Sequence, residues 1–269
     1  MTAPTVQAFF DDATNTVTYL VSDPATGAAA IIDPVLEYDA ESGRTSTASA
    51  EGVLETARTQ GLKIVWLLET HAHADHLSAG DYLRQATGAP IGVGARIVEV
   101  QQTFADRFGL PMPGPEVFDR LFADGDRFAL GELDVEVIHT PGHTPACVSY
   151  RIGDAVFVGD TLFMPDFGTA RADFPGGDAT TLYRSIQRLL ALPRETRVFV
   201  GHDYLPNNGR GDFRWETTIG AERDSNVHVG GGATEAAFTA MRSARDATLP
   251  PPKLLEPALR ANIRAGATT

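Results

Sequence analysis

The segment Thr70-His71-Ala72-His73-Ala74-Asp75-His76-Leu77 constrains this chain more than any other. Three histidines and one aspartate, all competent metal ligands, directly follow the apolar run Lys63-Ile64-Val65-Trp66-Leu67-Leu68-Glu69. That run reads as a buried strand, so His71 and His73 leave its carboxyl end. Alternate residues of an extended chain point the same way, which lets the two imidazoles converge on one ion. Beyond them, Ser78 with Asp81 three residues on reads as a capping-box-like helix start, and Leu77 with Tyr82 as its hydrophobic staple. The ligand loop is then expected to be pinned between a strand end and a helix start.

The same device recurs three times along the chain. A strand over 134–138 leads into His139-Thr140-Pro141-Gly142-His143-Thr144-Pro145, whose turn chemistry presents His143, whereas His139 lies on the strand and reads as structural. A strand over 155–158 runs into Gly159-Asp160-Thr161, and one over 197–200 into Gly201-His202-Asp203-Tyr204. The strand-end candidates are therefore His71, His73, Asp75, His76, His143, Asp160 and His202. Nitrogen and oxygen donors of this kind suit zinc, iron or manganese. They suffice for one metal with a rich outer shell or for two metals. A dinuclear zinc site, with Asp160 bridging, would generate hydroxide for attack on a thioester or phosphodiester. A single iron held by two His and one carboxylate would leave positions free for substrate and dioxygen. Spacing leaves both open. Asp33, before Pro34, reads either as a turn former or as an outer partner of the histidines.

Around these loops the chain reads as alternating strands and helices. Strands are expected over 6–10, 17–21 and 28–32, with 41–47 an exposed loop. A helix over 50–60 ends at Gly61, and a second stops at Thr87-Gly88. Helical spacing recurs at Ile97, Val100, Phe104 and Phe108, before a proline-rich surface excursion over 109–115. Further strands over 127–130 and 147–152 are expected, the latter joined to 155–158 by a Gly153-Asp154 hairpin turn. Cys147 reads as a buried, inert thiol. Asp178 caps a helix carrying Leu182, Ile186, Leu189 and Leu190. After His202 the periodic signal weakens, apart from a helix over 234–247 with Phe238 and Met241 inward, and His228 reads as structural.

With 269 residues and 43% hydrophobic content the chain can bury a substantial core, and one domain over 1–269 is the simplest expectation. A net charge of -13 argues against a nucleic-acid footprint, and hence against a nuclease. A lone cysteine and the start Met1-Thr2-Ala3-Pro4-Thr5-Val6, which lacks a basic region, point to a reducing cytoplasm. No apolar run approaches the roughly 20 residues of a membrane helix. A purely structural or sensory metal site would favour a closed coordination sphere, unlike ligands on open loops.

The HxHxDH pattern of His71 to His76 resembles the signature of the metallo-β-lactamase superfamily, which implies an α/β fold, the αββα four-layer sandwich. Several other stretches extend the likeness: Ile32-Asp33-Pro34-Val35-Leu36-Glu37, Pro141-Gly142-His143-Thr144-Pro145, Gly159-Asp160, Arg171-Ala172-Asp173-Phe174, His202-Asp203-Tyr204 and Asn262-Ile263-Arg264-Ala265-Gly266. Together they resemble the persulfide dioxygenases, the ETHE1-type sulfur dioxygenases, and among them bacterial members described as β-lactamase hydrolase-like proteins. The resemblance implies one Fe(II) per chain held by His71, His143 and Asp160, with His73, Asp75, His76 and His202 as outer shell or as ligands of an alternative second metal. It implies oxidation of glutathione persulfide by O2 to sulfite and glutathione in sulfide detoxification. Tyr204 is then expected to hydrogen-bond bound substrate or oxygen, and Arg171 either to recruit glutathione or to pair with Asp173. The family also leaves room for a homodimer and a rhodanese-like sulfur-transfer partner. Ala265 departs from the human-type enzymes, which carry Cys there. The alternative is a type II glyoxalase-like thioesterase acting on S-acylglutathione with a dinuclear zinc site; the weak periodicity after His202 argues against that family's C-terminal helical domain.

Overall fold

The computed structural model describes residues 3–206 and 209–268. The chain opens with β1 (Thr5–Asp11), β2 (Thr16–Ser22) and β3 (Ala28–Ile32), the expected meander. Next come β4 (Val35–Asp39), β5 (Arg44–Ser46), α1 (Ala48–Thr59), β6 (Lys63–Leu68), β7 (Leu77–Ser78), α2 (Gly80–Thr87), β8 (Ile91–Gly94), α3 (Ile97–Phe108) and β9 (Arg120–Phe122). The second half holds β10 (Arg127–Leu130), β11 (Leu133–His139), β12 (Val148–Ile152), β13 (Ala155–Phe157), α4 (Ala179–Leu190), β14 (Arg197–Phe199), β15 (Glu216–Thr218), α5 (Ile219–Ser225), α6 (Glu235–Asp246) and α7 (Leu255–Asn262).

One sheet runs in the order β1-β2-β3-β6-β8-β9 and the other in the order β10-β11-β12-β13-β14-β15. Their facing surfaces share a core in which Val17, Tyr19 and Ile32 of the first sheet meet Val135, Tyr150 and Phe157 of the second. Outside the first sheet, α1, α2, α3 and α7 bury Val53, Leu83, Phe104 and Leu259. Outside the second, α4 and α6 bury Leu182, Ile186 and Phe238. The result is helices, sheet, sheet, helices: the αββα sandwich.

Topology explains why the candidate ligands gather at one edge. The pairs β3·β6, β6·β8, β8·β9 and β13·β14 are parallel, so their strands' carboxyl ends lie together. The sheets are tied there by backbone bonds from Val148 N to Thr70 O and from Val17 N to Gly201 O, both 2.9 Å. Gly159 has φ 50°, and a Cβ on it would collide with the Thr70 side chain. Only glycine lets Asp160 come this close to the histidine loop.

Several expectations are corrected. Ser78 does not open a capping box, because it lies in β7, and the residue before α2 is Ala79, without a side-chain cap. The Ser78 hydroxyl instead accepts from Gly80 N at 2.9 Å and donates to Glu69. Segment 41–47 is not wholly loop, since Arg44–Ser46 pairs with β4 in a hairpin whose strand is too short and exposed to show apolar alternation. Strand β12 begins at Val148, one residue after Cys147. The region after His202 holds three α-helices among the described residues, so weak periodicity there does not separate this chain from glyoxalase-like enzymes. The Asp178 cap is present, its carboxylate accepting from Thr181 N at 2.6 Å. Among the described residues no helix is long and apolar enough to cross a membrane.

Candidate metal centre

Among the described residues, two clusters of strand-end candidates form at the shared edge, and a third group joins Asp33 and Glu69 to His73. His71, His143 and Asp160 place one ligand atom each within 4.8 Å of one another, and His73, Asp75, His76 and His202 do the same. His143 Nε2 lies 3.7 Å from Asp160 Oδ2, while His202 Nε2 stands 3.3 Å from Asp75 Oδ2 and 3.4 Å from Asp160 Oδ1. All seven sequence candidates thus converge. Asp75, the least buried, keeps 26% of its side chain exposed.

Each histidine is oriented from behind. His143 donates through Nδ1 to the Arg171 carbonyl at 2.8 Å, and His202 through Nδ1 to the Asn15 carbonyl at 3.1 Å. The Thr70 hydroxyl donates to Asp33 at 2.8 Å, which leaves it accepting from His71 Nδ1 at 3.0 Å. Because carbonyls only accept, these contacts set the tautomers and turn the Nε2 lone pairs inward. His73 differs: its Nε2 faces Asp33 at 3.0 Å and Glu69 at 3.5 Å. Asp33 itself is both a turn residue, at φ 51°, and the outer partner that sequence suggested.

Buried atoms without partners mark the centre. His71 Nε2, His73 Nδ1, His76 Nε2, His202 Nε2 and Asp160 Oδ1 are buried and make no hydrogen bond. Orphans of this kind cost roughly 1–3 kcal/mol each. A cation supplies what all of them lack, so the donor set fits a metal. Burial, with His73 and His143 nearby, pushes His71 well below the ordinary histidine range, leaving it a neutral base. Burial also disfavours charge on Asp75, but His202 and His76 outweigh it and hold the carboxyl well below its usual range. For His73 burial is outweighed by Asp33 and then Glu69, which raise it well above the usual value.

Asp75, His143 and Asp160 line a cleft of about 240 Å³ walled by Phe163, Phe167, Tyr204, Arg245 and Leu249. Tyr204 stacks on His202, with centroids 5.3 Å apart and planes at 16°, and 37% of its surface is exposed. Arg171 borders the cleft, yet its guanidinium is held by Asp173 at 2.6 and 2.7 Å and by the Pro250 carbonyl at 2.7 Å. Its main chain, rather than its charge, makes the contact with a candidate ligand. His139 bonds the Pro145 carbonyl at 2.9 Å, and His228 accepts from Thr169 N at 3.0 Å, both structural as expected. Cys147 is buried, and desolvation pushes its thiol up to about 12.

Sequence reasoning missed the residues that hold this machinery. Asn262 donates to the carbonyls of His73 and His76, both at 2.8 Å, and accepts from Ser78 N at 2.8 Å. Thr16 approaches His76 and His202 at 3.3 and 3.4 Å. Only the Asn262 stretch carried a signal, through the family-like motif around it.

An αββα sandwich with a His/Asp centre at the ends of its strands defines a metal-dependent enzyme scaffold. The chain belongs to the metallo-β-lactamase superfamily, whose profile matches residues 11–202. It is 51% identical over 266 residues to the β-lactamase hydrolase-like protein of Agrobacterium fabrum, covering 98% of this chain and 61% of that protein. The chain thus spans about three fifths of that relative's length. The crystal structure of ETHE1 from Myxococcus xanthus superposes with a TM-score of 0.78 at 32% identity, covering 98% of this chain and 100% of that one. A hydroxyacylglutathione hydrolase of Rhodospirillum rubrum is 36% identical over 192 residues, covering 71% of this chain and 63% of that protein.

Proposed function

We propose that this protein is a persulfide dioxygenase that oxidises glutathione persulfide with O2 and water to sulfite and glutathione, using one Fe(II) per chain. The observation that carries the reading is the grouping of His71, His143 and Asp160, two imidazoles and one carboxylate, with His143 and Asp160 facing the cleft. Such a set on one face suits non-haem iron. The likeness to ETHE1 over the whole chain supports it. When held by His71, His143 and Asp160, iron would supply the redox chemistry that zinc lacks.

The chain's own residues have defined tasks in this reading. The Arg171 carbonyl and the Thr70 hydroxyl keep His143 and His71 aimed inward, and Phe163 and Phe167 give the bound persulfide an apolar wall. Tyr204, whose phenol is kept neutral by burial and by Asp75 and Asp160, donates a hydrogen bond into the cleft. Its partial exposure moderates that push without reversing it. His73, Asp75, His76 and His202 form the outer shell.

The second cluster supports one competing reading, a dinuclear thioesterase acting on S-acylglutathione with zinc, in which His73, Asp75, His76 and His202 bind the additional ion. The hydroxyacylglutathione hydrolase relative supports the same reading. Metal analysis of anaerobically purified protein separates the two. One iron per chain is expected, whereas two zinc ions in active enzyme would overturn the proposal.

A further inference from the structure

The His143 ligand is held by a carbonyl in a loop that has no regular structure of its own. Residues 169–172 lie between β13 and α4; His228 holds Thr169 N, and two further anchors come from α6, about seventy residues further along the chain. Arg242 and Asp246, one helical turn apart, are 1% and 5% exposed and pair through Arg242 Nε and Asp246 Oδ1 at 2.8 Å. The pair also bonds the loop. Arg242 Nη1 donates to the Thr169 carbonyl at 3.2 Å, and Asp246 Oδ2 accepts from Ala172 N at 2.8 Å. These anchors flank Arg171, whose carbonyl receives the His143 Nδ1 proton at 2.8 Å. Arg242 also borders the cleft itself.

A buried ion pair is weak evidence for stability, because desolvation offsets the attraction, but it fixes geometry well when every remaining donor and acceptor has a single use. Apolar residues would pack α6 against α4 without placing the Arg171 carbonyl. We propose that Arg242 and Asp246 are positioning residues for His143, acting through the main chain of 169–172. In this account α6 is part of the metal centre's support, although neither side chain belongs to the ligand set. The inference is independent of the dioxygenase reading, since it concerns how His143 is held for whichever metal binds there.

The test is Co(II) titration of the apoprotein, which needs no turnover and so stands apart from any failure of the proposed reaction. Asp246→Ala is expected to weaken binding at the His143 cluster by about 10–100-fold, the range for lost outer partners of metal ligands. Asp246→Asn keeps the shape and removes the charge, and serves if the alanine variant does not fold; it is expected to weaken binding in the same direction. Phe238→Leu, a packing change on the same helix that leaves the pair intact, is the control. It is expected to lower the melting temperature while keeping wild-type affinity. In histidine-labelled apoprotein, the ring nitrogen signals of His143, assigned by their loss in His143→Gln, should show a protonated Nδ1 in wild type and mixed tautomers in Asp246→Asn. Wild-type cobalt affinity and an unchanged tautomer in the folded Asp246 variants would overturn the proposal, as would equal weakening by Phe238→Leu.

Discussion

Asn262 and His73 lie 189 residues apart in sequence, yet the Asn262 amide donates to the His73 carbonyl at 2.8 Å. The same amide nitrogen reaches the His76 carbonyl, and its oxygen takes the Ser78 N–H, so one side chain from the end of α7 closes the histidine loop. Asn262→Ala leaves three buried main-chain groups unpaired, at about 1–3 kcal/mol each when desolvated. The expected outcome is a melting temperature lower by about 2–4 °C per kcal/mol lost, with reduced metal retention on dialysis. A variant that melts and retains metal as wild type does would refute the closing role.

Asp160→Ala should abolish iron binding at the His71 cluster while leaving a folded protein. Asp160 Oδ1 is buried without a hydrogen bond, so its removal relieves an unmet group in the apoprotein. The variant's metal-free form is therefore expected to melt no lower than metal-free wild type. Elemental analysis with calorimetry checks both parts, and retained stoichiometric iron would remove Asp160 from the ligand set.

Arg171 separates side chain from main chain. Arg171→Ala keeps the carbonyl that holds His143, so iron content should be unchanged. If the guanidinium also recruits the glutathione carboxylates, KM for glutathione persulfide rises severalfold at constant kcat. An unchanged KM with a lowered melting temperature would assign Arg171 to its pair with Asp173 alone.

Glu222 gives the stability a pH dependence away from the centre. It is fully buried on α5, and burial raises its carboxyl from 4.5 to about 8, although Asn226 donates to it at 2.6 Å. The unfolded chain releases this proton near 4.5 and the folded chain near 8, so the contribution is present below pH 4.5 and is lost as pH rises to 8. Glu222→Gln should remove that slope and raise the melting temperature at pH 8 relative to wild type. Equal wild-type and variant melting temperatures across pH 5 to about 8 would exclude a buried proton at this site.

The candidate ligands were readable because each follows an apolar run: β6, β13 and β14 end at one sheet edge in parallel pairs, and β11, antiparallel to β12 and so running the same way as β13, delivers the turn that carries His143. That local rule located His71, His143, Asp160 and His202. It could not reveal Asn262, Asn15 or the Arg242–Asp246 pair, whose roles depend on hydrogen bonds to segments distant in sequence. The later helices were dim for a different reason. Strand-like residues are sparse there, α5 has only seven residues, and α7 follows a proline run with a face built largely of alanine and leucine. The Ser78 reading failed because its hydroxyl found a buried partner in Glu69, which outcompeted the cap.

Oxygen consumption tests the central claim most directly. Iron-loaded enzyme, supplied in turn with glutathione persulfide and with S-lactoylglutathione, is followed with an oxygen electrode and a sulfite assay. One O2 is expected to disappear per sulfite formed from the persulfide, with turnover ceasing under argon, because a metal-bound hydroxide would need no oxygen. Rapid thioester cleavage that continues under argon, with no persulfide-dependent oxygen uptake, would contradict the account and assign the centre to hydrolysis.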